Sequence, residues 1–441
     1  MDFTLKQTGR ASIEFAGDLG RVIGPLRGRI AQDLAAKGLS NETLADDLDA
    51  RLRQVDGALA DSPAYSAFGA VTEWSGRNHG RIVQAAFDEQ RDELAPRLDA
   101  LMAKGPTRIE AKLGEQLPEY FKGWWIHRTT GGWDGHPYQG FVHGEVLHRE
   151  YVARNYPGDI FAQRREILSV LPRQDYRRSF EIGTSSAQYT LQLAQTYPQA
   201  EIWGCDLSMR MLEQAQRVAN EHGWHWRLLQ VAGEDTGLES ASFDLVTSYI
   251  VMHEIPAEVT RAQLREAFRL LRPGGDVLFT DVTRYAALDR IGEFWAEYTA
   301  VNGGEPFWRE AARLDLGAAA RDAGFVNALG RFPRREVPVV RLRHNPSESS
   351  RMSQIDTRHL LPHDHAVRHD PVAQLALTLA KELWVLRDRQ IVLESVLAEK
   401  GIATGDLLDA YQPTATVKER LARERQRFLD EVQSALSPAA G

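Results

Sequence analysis

From about residue 160 to residue 343 short apolar segments alternate with amphipathic ones, and no other feature constrains the fold as strongly. Phe180–Ile182, Glu201–Cys205, Trp226–Val231, Phe243–Tyr249 and Asp276–Thr280 read as strands. A helix follows the first strand through Leu191 and Ala194. Met209–Ala219 and Ala262–Leu271 read as further helices, and Pro273-Gly274-Gly275 as the turn before the fifth strand. Strands separated by helices cannot pair as hairpins. The pattern therefore implies an α/β fold with a parallel, doubly wound sheet.

A ligand of such a sheet lies at the carboxyl ends of the central strands, where the strand order reverses. Four features fall there. Glu181-Ile182-Gly183-Thr184-Ser185-Ser186-Ala187 closes the first strand and opens a helix; Gly183 permits a tight turn, and the helix start favours an anionic group. Asp206 ends the second strand, where a carboxylate accepts hydrogen bonds from ribose hydroxyls. Gly233-Glu234-Asp235 follows the third strand, in reach of an adenine amino group. Val251-Met252-His253-Glu254-Ile255-Pro256 ends the fourth, facing the position of a reacting group. His253 and Glu254 are the candidate catalytic residues, as base or acceptor contact. Read structurally, His253 packs at the strand end and Glu254 caps the next helix.

This ordered set resembles the class I S-adenosylmethionine-dependent methyltransferase superfamily, in particular the branch of quinone-biosynthesis methyltransferases. EIGTSSA resembles its first motif, WGCDLSMRMLEQA the ribose strand and helix, and GEDTGLESASFDLVTS the adenine segment. LREAFRLLRPGGDVLFTD resembles the helix, turn and fifth strand, and LGAAARDAGFVNALGRF the closing helix and hairpin. The resemblance covers residues 160 to 343 and implies a Rossmann-like fold. It implies S-adenosylmethionine as cofactor, with S-adenosylhomocysteine as product. The cofactor-binding residues it implies are Glu181, Gly183, Thr184, Ser185, Asp206, Leu207, Met211, Glu234, Asp235 and Tyr249. The first motif departs from the family's three glycines: Gly183 is kept, while Ser185 and Ala187 fill the later positions. WWIHRTTGGWDG resembles an aromatic segment that caps the pocket in some relatives.

Around the core, residues 1–114 are expected to form a helical domain, with Leu44, Leu48, Leu52, Val55 and Leu59 on one face and Ser40 as a cap. Residues 115–159 are rich in aromatics, histidine, glycine and proline, and read as a loop-like lid or connector. Residues 344–370 read as a polar linker and residues 371–441 as a helical tail. Leu379, Leu386 and Leu393 recur at seven in the tail, with Leu383 and Leu397 four residues after Leu379 and Leu393 and Gln390 as the equivalent polar position after Leu386. That seam suits a homodimer contact or packing within the chain. A second charged helix is expected over Thr416–Ala435.

His127, Trp133, Tyr138, His143, Tyr285, Trp295 and Tyr298 are the candidate acceptor-pocket residues; ordinary packing is the alternative for each. No metal is assigned. His143 and His148 lie five apart, outside zinc-helix spacing, and His363, His365 and His369 sit in a linker. The net charge of -8 argues against nucleic acid as partner. No run is apolar enough to span a membrane, and MDFTLKQTGR has no signal core, so a cytoplasmic location is expected. A single cysteine, Cys205, excludes an internal disulfide.

The expected activity is methyl transfer to a small, apolar or aromatic acceptor, in line and with base assistance. A non-catalytic scaffold or regulator of the same fold is the alternative. A nicotinamide-dependent oxidoreductase is disfavoured by the lack of G-x-G-x-x-G, and a nucleic-acid methyltransferase by VMHEIP in place of a D/N-P-P-Y/F motif.

Overall fold

The computed structural model describes residues 3–113, 116–155, 159–329, 339–344, 371–402, 414–420, 423 and 427. Its centre is one sheet of eight strands: β1 (Arg108–Ala111), β2 (Arg178–Ile182), β3 (Glu201–Asp206), β4 (Arg227–Gln230), β5 (Phe243–Tyr249), β6 (Leu271–Thr280), β7 (Phe325–Leu329) and β8 (Val339–His344). Their order is β1-β4-β3-β2-β5-β6-β8-β7. The first six positions run parallel; β8 is antiparallel to both β6 and β7. The chain leaves β2 toward β3 and β4 on one side and returns to β5 and β6 on the other. The reversal therefore falls between β2 and its two neighbours, and a crevice opens at their carboxyl ends.

Burial on both faces explains the unbroken apolar strands. In β5, Val246 packs with helices Ala257–Leu270 and Leu316–Asp322, while Leu245 points to the opposite layer of Gln188–Thr196 and Met209–Glu221. The Pro273-Gly274-Gly275 turn lies inside β6. The register jumps from Phe243 opposite Leu271 to Leu245 opposite Asp276, so the turn is absorbed as a bulge.

The N-terminal helices Gln7–Leu19, Ile23–Ala36, Leu48–Ala58, Pro63–Asp88 and Arg91–Lys104 form a layer of their own, but the chain then adds β1 to the sheet beside β4. Two local expectations change. Asp47, not Ser40, caps the helix that carries Leu48, Leu52 and Val55, accepting from the Ala50 amide; Ser40 lies in the preceding turn. Residues 139–155 are helical rather than loop, with a π-helix over Val142–Val152. There His143 and His148 sit one above the other, ring centroids 4.5 Å apart, because a five-residue spacing aligns side chains in a π-helix.

The long helix Pro371–Glu399 ends before Gly401, which takes φ +72°. It docks on the N-terminal layer. Trp74 Nε1 donates to Thr378 Oγ1 at 3.0 Å, and Arg10 pairs with Asp388 at 2.6 Å. Off the docked face, Leu386 is 61% and Leu393 55% exposed. Among the described residues no helix is long and apolar enough to cross a membrane. The linker histidines, residues 345–370 and most of the second tail helix lie outside the described residues.

Candidate active site

The crevice at the strand ends opens into a cavity of about 670 Å³. Its floor is the β2 turn. The Gly183 and Thr184 amides both donate to Cys205 O at 2.9 Å, pinning the turn to β3. Gly183 takes φ +78°, and a Cβ there would lie 2.3 Å from Val251 Cγ2. Ser185 and Ala187 also adopt left-handed backbone, with φ of 49° and 67°. The loop thus keeps a glycine-type path without glycine at those positions.

Asp206 ties this loop to the next helix. One of its oxygens accepts from Ser185 N at 2.8 Å and the other from Ser208 N at 2.9 Å. Burial pushes its carboxyl up to about 7 against these two amides, with Glu254 and Asp134 adding to the rise. Burial likewise pushes Glu181 up to about 8; Thr190 opposes the rise and Asp206 adds to it. One Glu181 oxygen and the Thr184 hydroxyl are buried without a hydrogen-bond partner. Tyr249 stacks on Tyr189 at 4.8 Å. Thr184, Ser185, Leu207, Met211 and Tyr249 all line the cavity, with Glu181, Gly183 and Asp206.

Glu234 and Asp235 do not line it. Asp235 is exposed at a turn, and Glu234 accepts from Tyr120 OH at 2.6 Å. Gly233 and Gln263 line that end instead.

The opposite wall comes from residues 126–148. His127, Trp133, His143 and His148 make an edge-to-face ladder, with successive centroids 5.5, 4.8 and 4.5 Å apart. The two ends differ in charge. Burial drives His143 well below the usual imidazole range, helped by His148, and takes His148 to about 3, helped by Arg164. Burial acts the same way on His127 and His253, yet carboxylates overrule it: Glu305 and Glu254 raise His127 well above its usual value, and Asp281 brings His253 to about 9. The wall is tied to the core through Asp134, whose carboxylate accepts from Ser208 Oγ at 2.8 Å and from Arg210 N at 3.1 Å.

At this end His253 Nδ1 contacts Asp281 Oδ1 at 2.8 Å, and His127 Nε2 contacts Glu254 Oε1 at 3.2 Å. Glu254 and His127 line the cavity; His253 stands directly behind them, 2% exposed.

Four of the expected acceptor-pocket residues lie elsewhere. Tyr138 packs on Phe87 and reaches Asp99. Tyr285 donates to Glu297 within the core. Trp295 and Tyr298 face Phe68 in the N-terminal layer. Their helix, Arg290–Gly303, turns its small residues Gly292 and Ala296 to the cavity, four apart on one face. Trp308, one of the aromatic residues after the fifth strand read as bordering the acceptor, does line the cavity, while Gln263, Asp281 and Glu305 were missed from sequence. Asp281 carried a signal, as the acidic end of β6; Glu305 carried none.

Residues 180–275 match the family model described as "Methyltransferase domain". The demethylmenaquinone methyltransferase of Anoxybacillus flavithermus is 26% identical over 42% of this chain and 85% of its own length. The malonyl-[acyl-carrier protein] O-methyltransferase of Legionella pneumophila is 29% identical over 33% of this chain. The tRNA N(3)-methylcytidine methyltransferase Mettl2 of Drosophila melanogaster is 30% identical over 25% of it. The chain spans 47% and 35% of the last two relatives. With this match centred on the β2 turn, the β3 carboxylate and the β5–β6 unit, the chain contains a methyltransferase domain of the class I, S-adenosylmethionine-dependent type over residues 180–275.

Proposed function

We propose that the protein methylates a small acceptor with an apolar or aromatic body. The observation that carries this reading is the continuity of one cavity from the acidic floor, Glu181 and Asp206, to the histidine–aromatic wall. The floor fits the cofactor: buried carboxylates and an unpartnered hydroxyl suit its ammonium and ribose hydroxyl donors, and Gly183 leaves room that a side chain would fill. The wall suits a small flat acceptor, since it offers neutral aromatic edges at one end and a histidine–glutamate group at the other.

When bound, S-adenosylmethionine supplies a methyl group already activated on a sulfonium sulfur. The acceptor's bond to the methyl carbon forms as the carbon–sulfur bond breaks, the electron pair stays on sulfur, and S-adenosylhomocysteine remains. The acceptor also gives up one proton. Glu254, with His127 and His253 beside it, receives that proton at the far end of the cavity. Asp281 fixes the His253 ring. The protein is further read as a homodimer, through the exposed leucines of Pro371–Glu399.

Calorimetric titration with S-adenosylmethionine and with S-adenosylhomocysteine tests the reading, followed by a screen of phenols, quinols and small acids. Micromolar binding and methylated product are expected. Saturable binding with no turnover across the screen would favour a cofactor-bound scaffold instead.

A further inference from the structure

The histidine–glutamate group has a geometry that proton transfer alone does not require. Nδ1 of His253 is bonded to Asp281 at 2.8 Å, and Nδ1 of His127 is paired with Glu305. In each ring a carboxylate therefore holds Nδ1–H, and Nε2 is the nitrogen that becomes a ligand once its own proton is displaced by a metal ion. Both Nε2 atoms turn toward one oxygen, Glu254 Oε1, at 3.2 Å from His127 and 3.9 Å from His253. The three atoms lie within 4.8 Å of one another. Ligands at tetrahedral angles around zinc stand about 3.4 Å apart, so little movement separates this arrangement from coordination.

Two imidazoles and one carboxylate, each imidazole backed by a second carboxylate, is the donor set of an open divalent-metal site. The backing residues are themselves fixed. Asp281 accepts from the Met252 and Val282 amides at 2.6 and 2.7 Å. Glu305 follows Gly304, whose φ of +74° ends its helix. The second oxygen of Glu305 is buried without a hydrogen-bond partner, 3.8 Å from His253 Nε2, on a side chain only 8% exposed. His127 holds left-handed backbone at φ 55°, a conformation uncommon for a residue with a Cβ and one that here turns its ring back onto Glu254.

We propose that His127, His253 and Glu254 bind one divalent transition-metal ion at the acceptor end of the cavity, with Glu305 and Asp281 orienting the two histidines. His127 and Glu254 line the cavity, so the remaining coordination positions face it. The ion holds the acceptor through the atom to be methylated and lowers that atom's proton affinity. The acceptor's proton would pass to the second oxygen of Glu254, and the deprotonated acceptor would attack the methyl carbon as its bond to sulfur breaks. This role rests on the proposed methyl transfer; the binding of metal does not.

The test uses the full chain made without a histidine tag, stripped with chelator and titrated with Zn²⁺ by calorimetry, with bound metal counted by mass spectrometry. One tight equivalent is expected. His127→Ala and Glu254→Gln should abolish it, while Glu305→Gln and Asp281→Asn should weaken it about 10–100-fold. Replacing His363, His365 and His369 together by alanine should leave it intact. Zinc-edge X-ray absorption on the wild-type protein should show two imidazole ligands, a readout that needs no variant to fold. The proposal fails if the wild type binds no tight equivalent, if His127→Ala and Glu254→Gln keep it, or if the linker histidines account for it. S-adenosylhomocysteine is titrated into the same stripped sample. Its binding without any metal equivalent overturns the metal site alone, and metal binding without it overturns the methyl-transfer reading alone.

Discussion

At the scale of single residues, the β2 turn shows how a motif can lose its glycines and keep its shape. Ala187 holds φ 67°, a left-handed conformation that costs a residue with a Cβ about 1–2 kcal/mol. Glycine would relieve that strain but adds about 0.5–1 kcal/mol of unfolded-state entropy. Ala187→Gly should therefore leave stability within about 1 kcal/mol of the wild type in urea denaturation. Gly183→Ala should cost about 2–4 kcal/mol, the left-handed penalty plus overlap with Val251, and should weaken cofactor binding at least about 10-fold by calorimetry. The glycine and the acidic strand end were legible because turn and ribose chemistry demand those residue types. That neither Glu234 nor Asp235 lines the cavity was not legible, since Glu234 is taken by Tyr120, more than a hundred positions away in the chain.

Titration belongs to the same scale. Asp206 and Glu181 are held up to about 7 and about 8 by burial, so the folded chain keeps protons that the unfolded chain releases near pH 4. The ligand-free protein should lose stability as pH rises from about 4 to about 8. Cofactor donors favour the ionised carboxylates. Binding should then release protons, and affinity should rise between pH 6 and pH 8.5. Calorimetry in two buffers of different ionisation enthalpy reads both effects; flat affinity would leave these carboxyls outside the cofactor site.

At the scale of elements, β2 to β5 were readable almost to the residue because burial on both faces leaves an apolar run with few competing interpretations, whereas β1, inside a stretch read as helical, and the first half of β6 were not. The segment around residues 139–155 was misread because its glycines and prolines cluster just before a helix, and a π-helix follows a five-residue period that no common pattern anticipates. Aromatic residues after β6 were misplaced for a related reason. Chemistry suggested that they line the pocket, whereas helical phase gives that face to Gly292 and Ala296. The wall of residues 126–148 is joined to the core through Asp134 on Ser208 and Arg210. Asp134→Ala should leave the melting temperature nearly unchanged while hydrogen exchange quickens over residues 126–135. Unaltered exchange there would mean that other contacts position the wall.

At the scale of the whole molecule, the tail helix carries most of the large apolar side chains left in water among the described residues. One face of it docks on the N-terminal layer as far as Asp388, and Leu386 and Leu393 are left exposed. Replacing both by glutamate should convert a dimer into a monomer in light scattering without lowering the melting temperature; a wild type that is already monomeric would end that reading. The seven-residue spacing was legible in the sequence, but its partner was not, because a heptad seam fits its own chain and a second copy equally well. The cavity joins two parts of different origin in the chain. Its base comes from the strands that match the family, and its cover from residues 120–164, ahead of that match. On the proposed reading, the methyl donor's seat lies in the matched core and the recipient's berth in the leading segment. Likeness measured along the core then speaks for the donor and is silent on the recipient.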